Sequence, residues 1–296
     1  MAGDTRFGTA FIMLSREVEL QDEIAQPLHD KELKTTVASM KADAKARFRE
    51  VVDVVEDKEF WRKSKALVEL CGPIMNLLRM ADSDIPGTGK VYHENFKLGK
   101  ILESMTDSAE FDFIPITVRG EIQSKWMSQW TDLHNPLHGA GYCLDPEFHS
   151  HDHAGCPEAL TDFFIMCDKI HGAGSAESAK AHLDWQCFYK AKKGPMFSRE
   201  TVWTNAAKMG PEEWYEMYVS PFHPELAMVG MRVLSQVISA SSCERNWSAH
   251  GHIHSEVRNR LAPATTEKLV YIYSNRKALA AASQNDELKM YTWDNE

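Results

Sequence analysis

The chain has 296 residues, 43% of them hydrophobic, and that much apolar content supports a folded core and excludes a disordered chain or a fibre. No apolar run approaches the ~18 residues of a membrane span, the first residues have neither block of a signal peptide, and Cys71, Cys143, Cys156, Cys167, Cys187 and Cys243 form no CxxC pair, so membrane, secretory, disulfide-framework and zinc-finger readings fall away. The formal net charge of −10 argues against a stand-alone nucleic-acid binder, which needs excess Lys and Arg to neutralise phosphates.

In chain order the predicted elements are nearly all helical. Phe11, Leu14, Val18 and Leu20 give a helix over 5–27, closed by Pro27, and 34–56 gives a charged helix with Lys41, Lys45 and Arg49 on its solvated face. A third helix opens at Asp57 as N-cap and runs to a break at Gly72-Pro73, unless Pro73 starts the next one. The loop 82–90 has a faint phosphate-loop look, but a lone Gly-Lys with no Ser or Thr after Lys90 makes a weak signal. Further helices fall at 91–108 and 118–134, the latter stopped by Asn135-Pro136, and 136–146 is expected to be a turn-rich connection. A helix follows Pro211, with Glu212 and Glu213 in its first turn and Trp214 and Tyr218 on its buried face. Residues Leu226 to Ile238 are apolar nearly all round, so this helix is buried against neighbours or a partner. After Ser239 to Cys243 a helix starts at Glu244, with Trp247, Ile253, Val257 and Leu261 on its apolar side. A last helix starts at Pro263 and carries Leu269, Val270, Tyr273 and Ala280 on one face. No run of alternating β-branched residues proposes a sheet.

The string Ser241-Ser-Cys-Glu-Arg-Asn-Trp-Ser248, with Ile253-His-Ser255, Arg258-Asn-Arg-Leu261 and Glu267-Lys-Leu-Val-Tyr-Ile-Tyr273, resembles the C-terminal dimerisation region of hAT-superfamily (hobo/Activator-like) transposases of the plant type. Thr5-Arg-Phe7, Phe60-Trp61, Pro136 to Tyr142, Leu144-Asp-Pro146 and Trp214-Tyr215 are similar to further landmarks of that family. The resemblance implies a mainly α fold: a helical insertion domain at 1–210, the C-terminal helices of an incomplete RNase H-like core forming a dimerisation region at 211–281, and a tail at 282–296. It implies a nuclear protein acting as a homodimer or a heterodimer with related hAT proteins, with no membrane partner and only weak DNA binding by this chain alone. Dimerisation residues are expected at Leu226, Val229, Val233, Trp247, Leu269, Val270 and Tyr273.

Intact members of the family carry a BED zinc finger for DNA binding, and two aspartates and a glutamate that hold Mg²⁺ for two-metal cleavage of DNA. Glu244 in Ser241-x-x-Glu244-Arg245 matches the glutamate, while both aspartates precede the motif matched by Thr5-Arg-Phe7. Glu244 therefore stands as the remnant of the triad within these residues, and a lone carboxylate is a poor two-metal site. The expectation is a transposase-derived protein that works by dimerisation and is catalytically inactive, with no cofactor. The alternative is a DNA-processing half that uses Glu244 and Mg²⁺ with aspartates from a longer product or a partner chain.

Each singled-out residue also has a structural reading. Ser241 and Glu244 fit a capping box, and Trp247 reads as core more readily than as a partner or DNA contact. Arg6 and Phe7 match a family position implied to contact a flipped base. His149, His151 and His153 with Cys143 and Cys156 have transition-metal donor types without paired spacing, so a solvated loop is expected and no metal site is assigned. His250 and His254 lie four apart without an HExxH frame. Arg258, Arg260, Arg276 and Lys277 form a basic cluster that faces either phosphate or solvent.

Overall fold

A computed structural model of the protein describes residues 7–83, 86–240, 247, 250, 251, 253 and 262–284. Among them there are helices and no strand, with one isolated antiparallel bridge between Pro86 and Val237. The chain forms two compact units, Met1–Leu77 with Glu94–Leu133, and Leu78–His93 with His134–Glu296.

The first unit contains α1 (Phe7–Glu19), α2 (Gln21–Ala25), α3 (Lys31–Ser39) and α4 (Ala42–Glu56), most of α5 (Lys58–Ala81) and of α6 (Thr88–Met105), and α7 (Ile116–Leu133). The single helices expected at 5–27 and 34–56 are each broken. Between α3 and α4, Met40 and Lys41 are extended. The hydroxyls of Thr35, Thr36 and Ser39 donate to Lys31, Glu32 and Thr36 carbonyls, the local competition that weakens a helix end. In contrast α5 continues through Pro73, where a break was expected. Gly72 has no Cβ to collide with the proline ring, which removes part of the restriction on the residue before a proline. Asp57 does cap this helix, accepting from the Glu59 amide at 2.8 Å.

The core of this unit joins Ala66 and Leu70 of α5 to Leu98, Leu102 and Met105 of α6 and to Phe111 and Ile114, with Ile122 and Trp126 of α7 against it. Gly99 lets α7 approach, because a Cβ there would meet the Trp126 ring at 3.0 Å. Arg62 ties α5 to the segment between α6 and α7 by donating to Asp112 and the carbonyls of Ala109 and Glu110, and it also donates to Glu59. Those bonds to Arg62 hold the Glu59 carboxyl near 2.

The second unit is built around α8 (Pro136–Leu144), which occupies the expected turn-rich connection. Asn135 closes a capping box with His138, and Pro136 sits at the first helical position, so the helix start is strongly specified. Its glycines make close contacts rather than turns. A Cβ on Gly89 would lie 2.5 Å from the Gly141 carbonyl carbon, and one on Gly139 would lie 2.8 Å from Ala159 Cα. Gly89, in the suggested phosphate loop, is thus a helix-packing residue. The unit continues with α9 (Pro157–His171), α10 (Ala176–Asp184), a π-helical turn (Trp185–Lys190), α11 (Gly194–Phe197), α12 (Glu200–Thr204), α13 (Pro211–Tyr218), α14 (Pro224–Leu234) and α15 (Pro263–Gln284), of which α9 and α14 pack on α8.

Candidate dimerisation surface

The framework of this surface begins where α8 ends. A helix leaves its last carbonyls without partners inside the helix, and here Trp185 Nε1 donates to Cys143 O at 2.9 Å while the Tyr189 and Tyr215 hydroxyls donate to Leu144 O at 3.0 and 2.8 Å. Three aromatic side chains from the π-helical turn and α13 therefore lock α8 to the C-terminal half of the unit. Trp214 lies beside them, its Nε1 donating to Val202 O at 2.8 Å, with edge-on contacts to Tyr189 and Tyr215.

On this platform α14 packs with Met228 and Arg232 left exposed. Leu226, Ala227, Val229, Gly230, Val233 and Leu234 are buried, packed against α8, α9, α10 and α13. Gly230 admits the Tyr215 ring, which an added Cβ would approach to 2.1 Å. At the other end of α14, Asp184 accepts from Lys180 Nζ at 2.8 Å and faces His223 Nδ1 at 3.3 Å. His223 in turn stacks on Phe188 with ring centroids 4.4 Å apart.

The last helix is arranged in the opposite way. In α15 the inward row is Thr266, buried, with Val270 and Ser274 half-buried, spaced four apart on one face. Leu269, Ile272 and Tyr273 form the i, i+3, i+4 row on another side and are 38%, 52% and 50% exposed, with Tyr271 more exposed still. Lys268, Glu267 and Arg276 flank the row. Such a row of large apolar side chains facing solvent is a surface for association.

Seven residues were expected to mediate dimerisation, and the structure separates them. Leu226, Val229 and Val233 have no exposed surface. Leu269 and Tyr273 are exposed, Val270 lies on the inward row, and Ile272, not singled out in the sequence, belongs with Leu269 and Tyr273. The signal that could have found Ile272 is its i+3 spacing from Leu269. Trp247 is 75% exposed, so the core role expected of it is not what the fold gives it. Its ring lies 6.1 Å from that of His250. Glu244, Arg6, His254, Arg258, Arg260 and the side chains of Phe7 and Lys277 lie outside the described residues; Arg276 is exposed.

The His149 to His153 run is not the solvated loop expected of it. His153 is fully buried, its Nε2 donating to Tyr142 O at 3.0 Å and its Nδ1 facing Lys190 Nζ at 2.6 Å. Lys190 also donates to the His151 carbonyl, and His151 Nδ1 meets the Tyr142 hydroxyl at 3.0 Å. Burial, with the Lys190 charge adding to it, lowers the His153 imidazole to about 4, so this ring is neutral. Cys143 and Cys156 are buried, and burial pushes the Cys143 thiol well up. Asp145, fully buried beside Glu147, has its carboxyl raised. Among the described residues no three His, Cys, Asp or Glu side chains converge as a metal site requires.

A helical framework that closes in a helix with an outward apolar row has the form of an association region. Residues 192–276 match the family model of the hAT family C-terminal dimerisation region, which takes in α11 to α14 and most of α15. Through that region the protein is related to the hAT-family transposases and carries a dimerisation region. None of the curated proteins matches the chain. No helix among the described residues is long and apolar enough to cross a membrane.

Proposed function

We propose that the protein acts by pairing through α15, with Leu269, Ile272 and Tyr273 forming the contact row. The observation that carries this is the exposed apolar row within the matched dimerisation region. Trp247 is exposed, whereas Leu226, Val229 and Val233 are buried. The partner is a second copy or a related hAT protein. In this reading the first 210 residues correspond to a helical insertion domain, residues 211–281 to helices that accompany an RNase H-like core, and 282–296 to a tail. Its place of action is the nucleus.

Catalysis is not part of the proposed role of these 296 residues. Glu244 is their one match to the family's acidic triad, and a two-metal site needs several carboxylate oxygens to offset the charge of the ions and fix their geometry. No Mg²⁺ or other cofactor enters the proposal.

The test is the solution mass of residues 1–296 by light scattering, beside Leu269→Asp and Ile272→Asp. A dimer that both substitutions convert to monomer is the expected result. A monomer in all three samples at micromolar concentration would overturn it.

A further inference from the structure

Lys90, Lys97 and Lys180 are each held by a carboxylate, Glu147, Glu94 and Asp184 respectively. Lys190 is held differently. Its Nζ sits against two neutral acceptors, His153 Nδ1 at 2.6 Å and the His151 carbonyl oxygen, and among the described residues it makes no ion pair.

The tautomer of His153 decides what Lys190 meets. His153 Nε2 faces the Tyr142 carbonyl, which can only accept, so the ring hydrogen is on Nε2 and Nδ1 presents a lone pair. An ammonium brings three N–H groups and a full charge, whereas the two acceptors match the two N–H groups of a neutral amine. Burial lowers the Lys190 amine, and the Lys192 charge adds to that against the opposing pull of Asp152. With both hydrogens engaged, the tetrahedral nitrogen directs its lone pair away from His153 and His151. Lys190 is half-buried and not enclosed, which leaves a small reagent a way in.

The local backbone marks the same place. A π-helical turn ends on Lys190, and such turns recur at functional sites. Lys192 has a φ of 51°, in the left-handed region that a lysine enters only at a steric cost. Lys192 and Lys193 are exposed, and they set two positive charges close to the amine in the chain, which favours an anionic reagent.

We propose that Lys190 is a covalent modification site, an amine nucleophile positioned by His153 and the His151 carbonyl that takes an acyl group from a small acyl phosphate. The amine nitrogen bonds to the acyl carbon, the bond from that carbon to the phosphate oxygen breaks, and the proton lost by nitrogen leaves on the phosphate. The resulting amide has one N–H, so one of the two acceptors loses its partner. Acylation thereby loosens the link between the π-helical turn and the His149 to His153 segment.

The experiment treats the whole 296-residue chain with acetyl phosphate and follows acetylation at each lysine by mass spectrometry. At neutral pH Lys190 is expected to react several-fold faster than Lys192 and Lys193, and its rate is expected to level off at a lower pH than theirs. The lead is expected to vanish in urea, where the fold is lost and the local sequence remains. His153→Leu removes the Nδ1 acceptor and is expected to slow Lys190 while Lys192 and Lys193 keep their rates, with circular dichroism to check the fold. Should that variant fail to fold, the pH profile of the wild-type chain decides. Equal rates at the three lysines in the folded chain, a lead that survives in urea, a shared pH profile, or an unchanged lead in folded His153→Leu would each overturn the proposal.

Discussion

Helices α14 and α15 are both apolar segments within the matched dimerisation region, yet they spend their side chains in opposite directions. In α14, Leu226, Val229 and Val233 face four neighbouring helices and Gly230 receives an aromatic ring. In α15 the row Leu269, Ile272 and Tyr273 faces solvent, and its inward row has only Thr266, Val270 and Ser274. One helix thus buries most of its apolar side chains, and the other leaves a row of them exposed.

That contrast is open to direct attack, and the largest effect should come from α14. Leu226→Ala empties a fully enclosed site and is expected to destabilise the fold by about 2–5 kcal/mol in urea unfolding. A loss under 1 kcal/mol would mean that Leu226 is not enclosed. Acid should act next through His153. Its folded pKa of about 4 lies below the ordinary 6.5, so the unfolded chain binds the extra proton between those values. Stability contributed by the neutral ring is therefore present above 6.5 and lost as pH falls toward 4, by on the order of 2–3 kcal/mol. Asp145, with its carboxyl raised, titrates in the opposite sense, so the reading is the difference between wild type and His153→Gln across that range. Equal pH dependence in the two proteins would remove the buried-imidazole account.

Gly230→Ala tests the approach of Tyr215 to α14. The added methyl must displace the ring, and a loss of about 1–3 kcal/mol is expected, measured by thermal unfolding. The smallest change in stability should come from α15. Leu269→Asp lies on an exposed face and should shift monomer stability by no more than about 0.5 kcal/mol. The same substitution is expected to abolish the dimer, and that dissociation of association from stability is what the comparison of the two helices predicts.

Much of the helix order was legible because the signals were local. Pro211, Pro224 and Pro263 each stand in the first turn of a helix, and Asp57 caps one, as their chemistry requires. The 226–238 segment read correctly as a helix only as far as Leu234; beyond it Val237 is exposed and bridges Pro86. Errors arose where two local signals competed. Gly139 and Gly141 suggested turns in α8, but they are the small residues that let α8 meet α9 and α6 backbone to backbone. Gly72-Pro73 suggested a stop, and α5 passes through it. The His149 to His153 run looked polar enough for solvent, yet its imidazoles are enclosed by Tyr142, Lys190 and backbone carbonyls.

By itself the sequence determined the helical class, the helix starts marked by Asp57, Pro211 and Pro263, and the likeness to the hAT dimerisation region. Each of these follows from residue spacing, capping chemistry or a contiguous string. The tertiary structure alone decided that α8 is buried, that α14 packs against four other helices, and that Leu269, Ile272 and Tyr273 are exposed while Val270 is half-buried. Helical periodicity states which residues share a face; what covers that face is decided by segments distant in the chain, and their placement exists only once the fold has formed.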